Sequence, residues 1–319
     1  MALVFGTDPE FQQRPVRQLP TPEEGTQSSS VSAGRPGAPF EDLASIIPNH
    51  RKHYFTTPTK AGDFVRAKLR QSRGLGCYLL ITDVSEDDVR AIDELLHGLH
   101  LGYSIRHTYE NALKSLILKC MLDMPHETAS RTFYIQVLSQ IAAIPGHNMF
   151  SVASVGSTRF ETPGKRSKEA DGAMMPKTRP PSGWPSLVFE VGYSESLPAL
   201  LCDARWWLVN SGGETRMVVI IRVTGNPRSL HVETWEMVPN PNVVPTPSRR
   251  STRQTPATVP GCTQVVDIDA AATIRPPGFV LRIPYLAVFD VAHPSAVDIT
   301  LSANELSETA LHIYDRMAV

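Results

Sequence analysis

Two carboxylates, Asp171 and Glu190, stand where they could do chemistry together. Asp171 follows Lys168 and Glu169 at the head of a short apolar run, and Glu190 ends the run Leu187-Val188-Phe189. The β-branched and aromatic content of that second run reads as a buried strand, so both acids fall near strand ends. Paired carboxylates suit a hard divalent cation, since Mg²⁺, or Mn²⁺ in its place, takes oxygen ligands and keeps several waters. Such a cation can activate or orient the water that attacks a phosphodiester. The Val191 carbonyl could add a third oxygen. The residues alone leave a plainer reading open, in which these are ordinary strand-end acids.

The elements that must position the pair are legible on either side. After Glu190, Ser194 and Ser196 can cap a helix that carries Pro198 in its first turn and stops at Asn210-Ser211-Gly212-Gly213. A buried strand over 217–223 follows. Upstream, 77–82 is an apolar strand, and Ser85 with Asp88 forms a capping box that opens a helix to about His97. Residues 103–108 and 113–121 suit an antiparallel hairpin, although 113–120 fits a helix equally well by periodicity. Phe133, Val137, Ile141 and Ile144 give 128–144 the stripe of an amphipathic helix, with Glu127 at its start. A strand over 150–155 and a loop over 156–166 complete the approach to Asp171. Beyond the centre, strands are expected over 230–238 and 279–289, and Ser302 with Glu305 caps a last helix to about Asp315. Helix, strand, Asp strand, Glu strand, helix, strand is the order of an α/β (α+β) fold, a central mixed sheet flanked by helices.

Composition narrows the class. A chain of 319 residues with 41% hydrophobic content and net charge −1 can bury one sizeable core with appendages, and announces no affinity for polyanions or membranes as a whole. No apolar run approaches the roughly 18 to 20 residues that span a bilayer. The opening lacks a signal peptide's basic flank and length, so an intracellular protein, nuclear or cytoplasmic, is expected. Cys77, Cys120, Cys202 and Cys262 are scattered and read as free thiols. Residues 48–75 carry seven Lys or Arg against Asp63 alone. That segment is either a phosphate-contacting arm or a solvated helical face.

The central stretch reads P-S-L-V-F-E-V, S-E-S-L, D-A-R-W-W-L and N-S-G-G. Together with 78–83, 126–129, 156–158, 231–236 and 302–315, it resembles a set of uncharacterised fungal proteins similar to the PD-(D/E)XK restriction-endonuclease-like superfamily. The resemblance implies a nuclease-like core over 39–238 with an N-terminal extension, and settles 113–120 as strand. Around that core, residues 1–38 are expected to be a disordered tail, 239–260 a flexible Pro-rich insertion, and 261–319 a strand and helix packed on the core. It further implies an Mg²⁺- or Mn²⁺-dependent phosphodiesterase acting on nucleic acid, with Asp171 and Glu190 as ligands and Glu127 as a supporting acid. One departure stands out. The superfamily's Lys two residues after the second acid is Gly192 here. Lys168 is the simpler substitute for that cation, and Arg205, on the helix after Glu190, is the other. The departure equally motivates a second reading, a catalytically degenerate member of the fold that binds nucleic acid or protein.

Overall fold

A computed structural model describes residues 38–317 apart from 73–75, 99–102, 157, 163–165, 194–195 and 242–256. The expected N-terminal tail, the Ser194 cap and most of the Pro-rich insertion therefore lie outside the described residues. The chain opens with α1 (Ala38–Ile46), β1 (Lys52–Tyr54), α2 (Pro58–Gln71), β2 (Cys77–Thr82), α3 (Glu86–His97), β3 (Tyr103–Glu110) and β4 (Ser115–Leu122). It continues through α4 (Asp123–Ala143), β5 (Val152–Ser154), β6 (Arg159–Glu161), β7 (Arg166–Glu169), β8 (Gly172–Pro176), β9 (Leu187–Tyr193), α5 (Leu197–Asn210) and β10 (Met217–Gly225). The last part comprises β11 (Arg228–Pro239), β12 (Thr258–Ile268), β13 (Ile274–Arg275), β14 (Leu281–Ile283), α6 (Tyr285–Val288), β15 (Ile299–Leu301) and α7 (Ala303–Tyr314).

The fold is mixed α/β. One sheet runs β1-β2-β4-β3-β7-β6 and a second runs β13-β12-β11-β10-β9-β8-β5. In the second sheet β8 is antiparallel to β5 and β9, β9 and β10 are parallel, and β11 turns back against β10. The first sheet lays one face on α2 and α3, where Leu79, Ile81, Leu116 and Leu118 meet Val65, Leu69, Val89 and Ile92. One face of the second sheet is covered by α4 and α7, through Phe133, Val137 and Ile141 and through Leu306, Ala310 and Ile313. Between the sheets lies α5. Its Ala199 and Cys202 face Tyr78, Leu80 and Ile117 of the first sheet, while Ala204 and Trp207 face Val188, Val218 and Ile220 of the second. A helix buried on opposite sides has few polar positions to spare, and in α5 the charged residues Asp203 and Arg205 are both ion-paired.

Several boundaries differ from the sequence expectations, each for a physical reason. Glu190 lies in the middle of β9, opposite Ile220, and not at a strand end, because the strand continues through Gly192 to Tyr193. The expected loop 156–166 contains β6, whose three residues are too few to show alternation; Phe160 anchors it against Trp207. The expected strand 279–289 is broken at Pro284, which offers no N–H to a ladder, and α6 follows. Residues 258–260, expected in the Pro-rich insertion, begin the long strand β12, paired with β11 from Pro239 onward. Helix α4 starts at Asp123, so His126 and Glu127 stand in its first turns.

Candidate functional site

The acidic centre forms where the chain passes from one sheet to the other. Lys168 ends its side of the first sheet in β7, and three residues later Asp171 heads β8 of the second. Pairing Gly172 with Phe189 brings Asp171 beside Glu190, since the next residues in register face one another. From the first sheet, the row Tyr78, Lys119 and Arg106 runs across β2, β4 and β3 on the face toward α5. Alternation along β4 puts Leu116, Leu118 and Cys120 on the opposite face, into the α2–α3 core.

Lys119 joins the two acids. Its Nζ lies 2.6 Å from Asp171 Oδ2 and 3.0 Å from Glu190 Oε2, and 3.8 Å from Asp203 Oδ2. Lys168 completes the network, donating to Asp203 Oδ1 at 2.6 Å and to Thr108 Oγ1 at 3.3 Å, with Glu190 Oε1 3.7 Å away. Tyr78 OH donates to Asp203 Oδ2 at 2.7 Å, and Trp207 Nε1 donates to Glu190 Oε1 at 2.6 Å. The backbone N–H of Val191, rather than its carbonyl, meets Asp171 Oδ2 at 2.9 Å. Every charged side chain in this network is at most 4% exposed.

Three carboxylates thus face two ammonium groups inside the fold. Burial pushes Glu190 up to about 7, with the Asp171 and Asp203 charges adding to it against Lys168 and Lys119. Burial also works to raise Asp171, but Lys119, then His126 and Arg106, hold it well below the usual carboxylate range. Lys168 is raised despite its burial, by Asp203 and Glu190. The site is a charge-compensated cluster in which one carboxyl, Glu190, takes up the imbalance as a proton near neutrality.

The remaining expected residues fall at or beyond its edge. Glu127 is a third exposed and pairs with Arg131 at 3.2 Å, with Arg106 3.9 Å away. It connects to Asp171 through His126, whose Nδ1 lies 3.8 Å from Glu127 and whose Nε2 lies 3.3 Å from Asp171 Oδ2. Arg205 is outside the cluster, paired with Asp42 of α1 at 2.9 Å. Four members of the network were missed from sequence: Lys119, Asp203, Tyr78 and Trp207. The signal was present for two of them. Lys119 interrupts S-L-I-L-K-C-M-L and Asp203 interrupts L-L-C-D-A-R-W-W-L, and a charge within a run buried on both sides must find an opposite charge.

A divalent cation does not fit beside Lys119 as it stands. Ligand oxygens lie roughly 2.1 Å from Mg²⁺, so an ion shared by Asp171 and Glu190 would compete for the position that the ammonium takes 2.6 and 3.0 Å from them. Among the described residues no group of three or more His, Cys, Asp or Glu is arranged to hold a metal. No described helix is long and apolar enough to cross a membrane. In comparison with known proteins, no family model matches the chain and no curated protein matches it.

Proposed function

We propose that this chain is a nuclease-like fold whose acidic centre is closed by its own lysines, and that it works as a binding module for nucleic acid or protein. The observation that carries this reading is Lys119, a buried ammonium bridging Asp171 and Glu190 where a catalytic cation would be shared. Leaving aside β6 and β7, which join the first sheet, the order α4, β5, β8, β9, α5, β10, with Asp171 at the head of β8 and Glu190 in β9, supports the fold that the resemblance implies. With Gly192 in place of the superfamily's Lys, an ammonium from β4 serves charge compensation inside the core rather than a reacting phosphate. A nucleic-acid partner draws support from α2, where Lys60 and Arg70 are exposed opposite the buried Ala61, Val65 and Leu69. Such a contact neutralises phosphates and therefore weakens steeply with salt.

The test is a melt in rising Mg²⁺ or Mn²⁺ beside a cleavage assay on single- and double-stranded DNA and RNA. A closed centre gives no metal-dependent stabilisation and no cleavage, while labelled nucleic acid is bound and Lys60→Glu with Arg70→Glu weakens that binding. Metal-dependent stabilisation together with cleavage would instead favour a second reading. In it Asp171 and Glu190 take Mg²⁺ once Lys119 swings aside, Glu127 supports, and Lys119 or Lys168 supplies the missing cation. The convergence of both acids on one point favours that alternative.

A further inference from the structure

The face of the first sheet turned away from the acidic centre holds a pair of thiols. Cys77 and Cys120 occupy directly opposed positions of the antiparallel strands β2 and β4. Both are buried thiols outside any disulfide, Cys77 at the first position of its strand and Cys120 near the end of its own. Opposed residues of antiparallel strands have Cα atoms about 4.5 to 5.5 Å apart. Disulfides accept Cα separations of about 4.4 to 6.8 Å, so the register alone brings this pair within bridging range. We propose that Cys77 and Cys120 are an oxidation site, a cross-strand dithiol that closes to a disulfide when a peroxide reaches it.

The chemistry is asymmetric. A hydrogen bond with Cys120 holds the Cys77 thiol below its usual range against the effect of burial, with Arg51 adding to the shift. Cys202 and Cys262 go the other way, pushed up by burial to about 12 and about 11. Cys77, the first residue of its strand, takes the nucleophile's part in the proposal. Its thiolate attacks one oxygen of hydrogen peroxide, the O–O bond breaks, and Cys77 becomes a sulfenic acid with release of hydroxide. Cys120 then attacks the Cys77 sulfur, the S–O bond breaks, and water leaves with the Cys120 proton. The sum is two thiols and one peroxide giving one disulfide and two waters, reversed by a dithiol reductant. The neighbouring register pair is Tyr78 and Lys119, so the bond would form one residue from the groups that hold Asp203, Asp171 and Glu190.

The full chain, native and reduced, is treated with hydrogen peroxide, then denatured, alkylated and digested for mass spectrometry. A peptide joining Cys77 to Cys120, two mass units below the sum of the reduced peptides and abolished by dithiothreitol, is expected. Cys202 should stay alkylatable. In Cys120→Ser, Cys77 should stop at a sulfenic acid trapped by dimedone. Should that variant fail to fold, Cys120→Ala serves for the same trapping. Full alkylation of both residues after peroxide, or cross-links running only to Cys202 or Cys262, would overturn the assignment. The readout involves neither metal nor nucleic acid, so it stands or falls apart from the proposed function.

Discussion

Lys119 sets the balance of charge at the acidic centre, because it alone reaches all three carboxylates within 4 Å. Removing one member of a buried ion network leaves an uncompensated charge, which costs about 3 to 5 kcal/mol. Lys119→Met should lose about that much in chemical denaturation. Adding Asp171→Asn and Glu190→Gln to it should recover most of the loss, and no recovery would mean that Lys119 matters for packing instead. The second prediction concerns protons. Glu190 is raised from 4.5 to about 7. A carboxyl that holds its proton more tightly folded than unfolded contributes stability that is complete below the unfolded value and lost as pH rises through the folded one. Glu190→Gln removes that loss while keeping a side chain that can accept from Trp207. Between about pH 5 and about pH 8 the variant should gain on the parent by about 2 to 3 kcal/mol, at ~1.4 kcal/mol per pKa unit. Asp171, held low, works in the opposite sense, contributing stability that is present above the ordinary carboxylate range and lost only as pH falls below it. A constant difference between parent and Gln variant across that range would sink the assignment.

Most elements with a local signal came out as the sequence implied, although Ser196, at the N-cap of α5, makes no side-chain cap hydrogen bond. Both capping boxes are present, Ser85 with Asp88 and Ser302 with Glu305, because a cap needs partners only three residues away. Elements whose identity depends on neighbours did not. β12 was unmarked, since its alternation is weak and its pairing with β11 is what orders it. The tryptophans of α5 offer a test at this scale. Both rings are buried, but Trp207 Nε1 donates to Glu190 while Trp206 Nε1 has no hydrogen-bond partner among the described residues. Replacing either by Phe removes similar apolar surface, and only Trp207→Phe also leaves a buried carboxylate oxygen short of a donor. That difference should appear as about 1 to 3 kcal/mol more destabilisation for Trp207→Phe. Equal losses would show that the indole N–H of Trp207 contributes nothing net.

At the scale of the whole described fold, α5 and the charge network tie the sheets together. Lys119, Lys168 and Tyr78 belong to the first sheet, and their partners Asp171, Glu190 and Asp203 belong to the second sheet's entry, its β9 strand and α5. Neither sheet can unfold alone without leaving charges buried and unpaired. Calorimetry should therefore show one transition, with calorimetric and van't Hoff enthalpies equal. Lys119→Met should lower it without splitting it. Two separable transitions would show that the sheets are independent.

The sequence by itself determined the mixed α/β class, most helices and strands around the centre, and the two acids on adjoining strands. Those follow from periodicity, caps and apolar runs, which act over a few residues. Only the tertiary structure decided what meets those acids. Lys119 lies 52 positions before Asp171 and Asp203 lies 125 after Tyr78, and no local rule links residues so far apart. Strand register brings Tyr78, Lys119 and Arg106 into one row, and the crossing from β7 to β8 leaves Lys168 on one sheet and Asp171 at the head of a strand of the other. Whether a carboxylate meets a metal or an ammonium depends on which distant strand packs over it, and packing is settled by the fold as a whole.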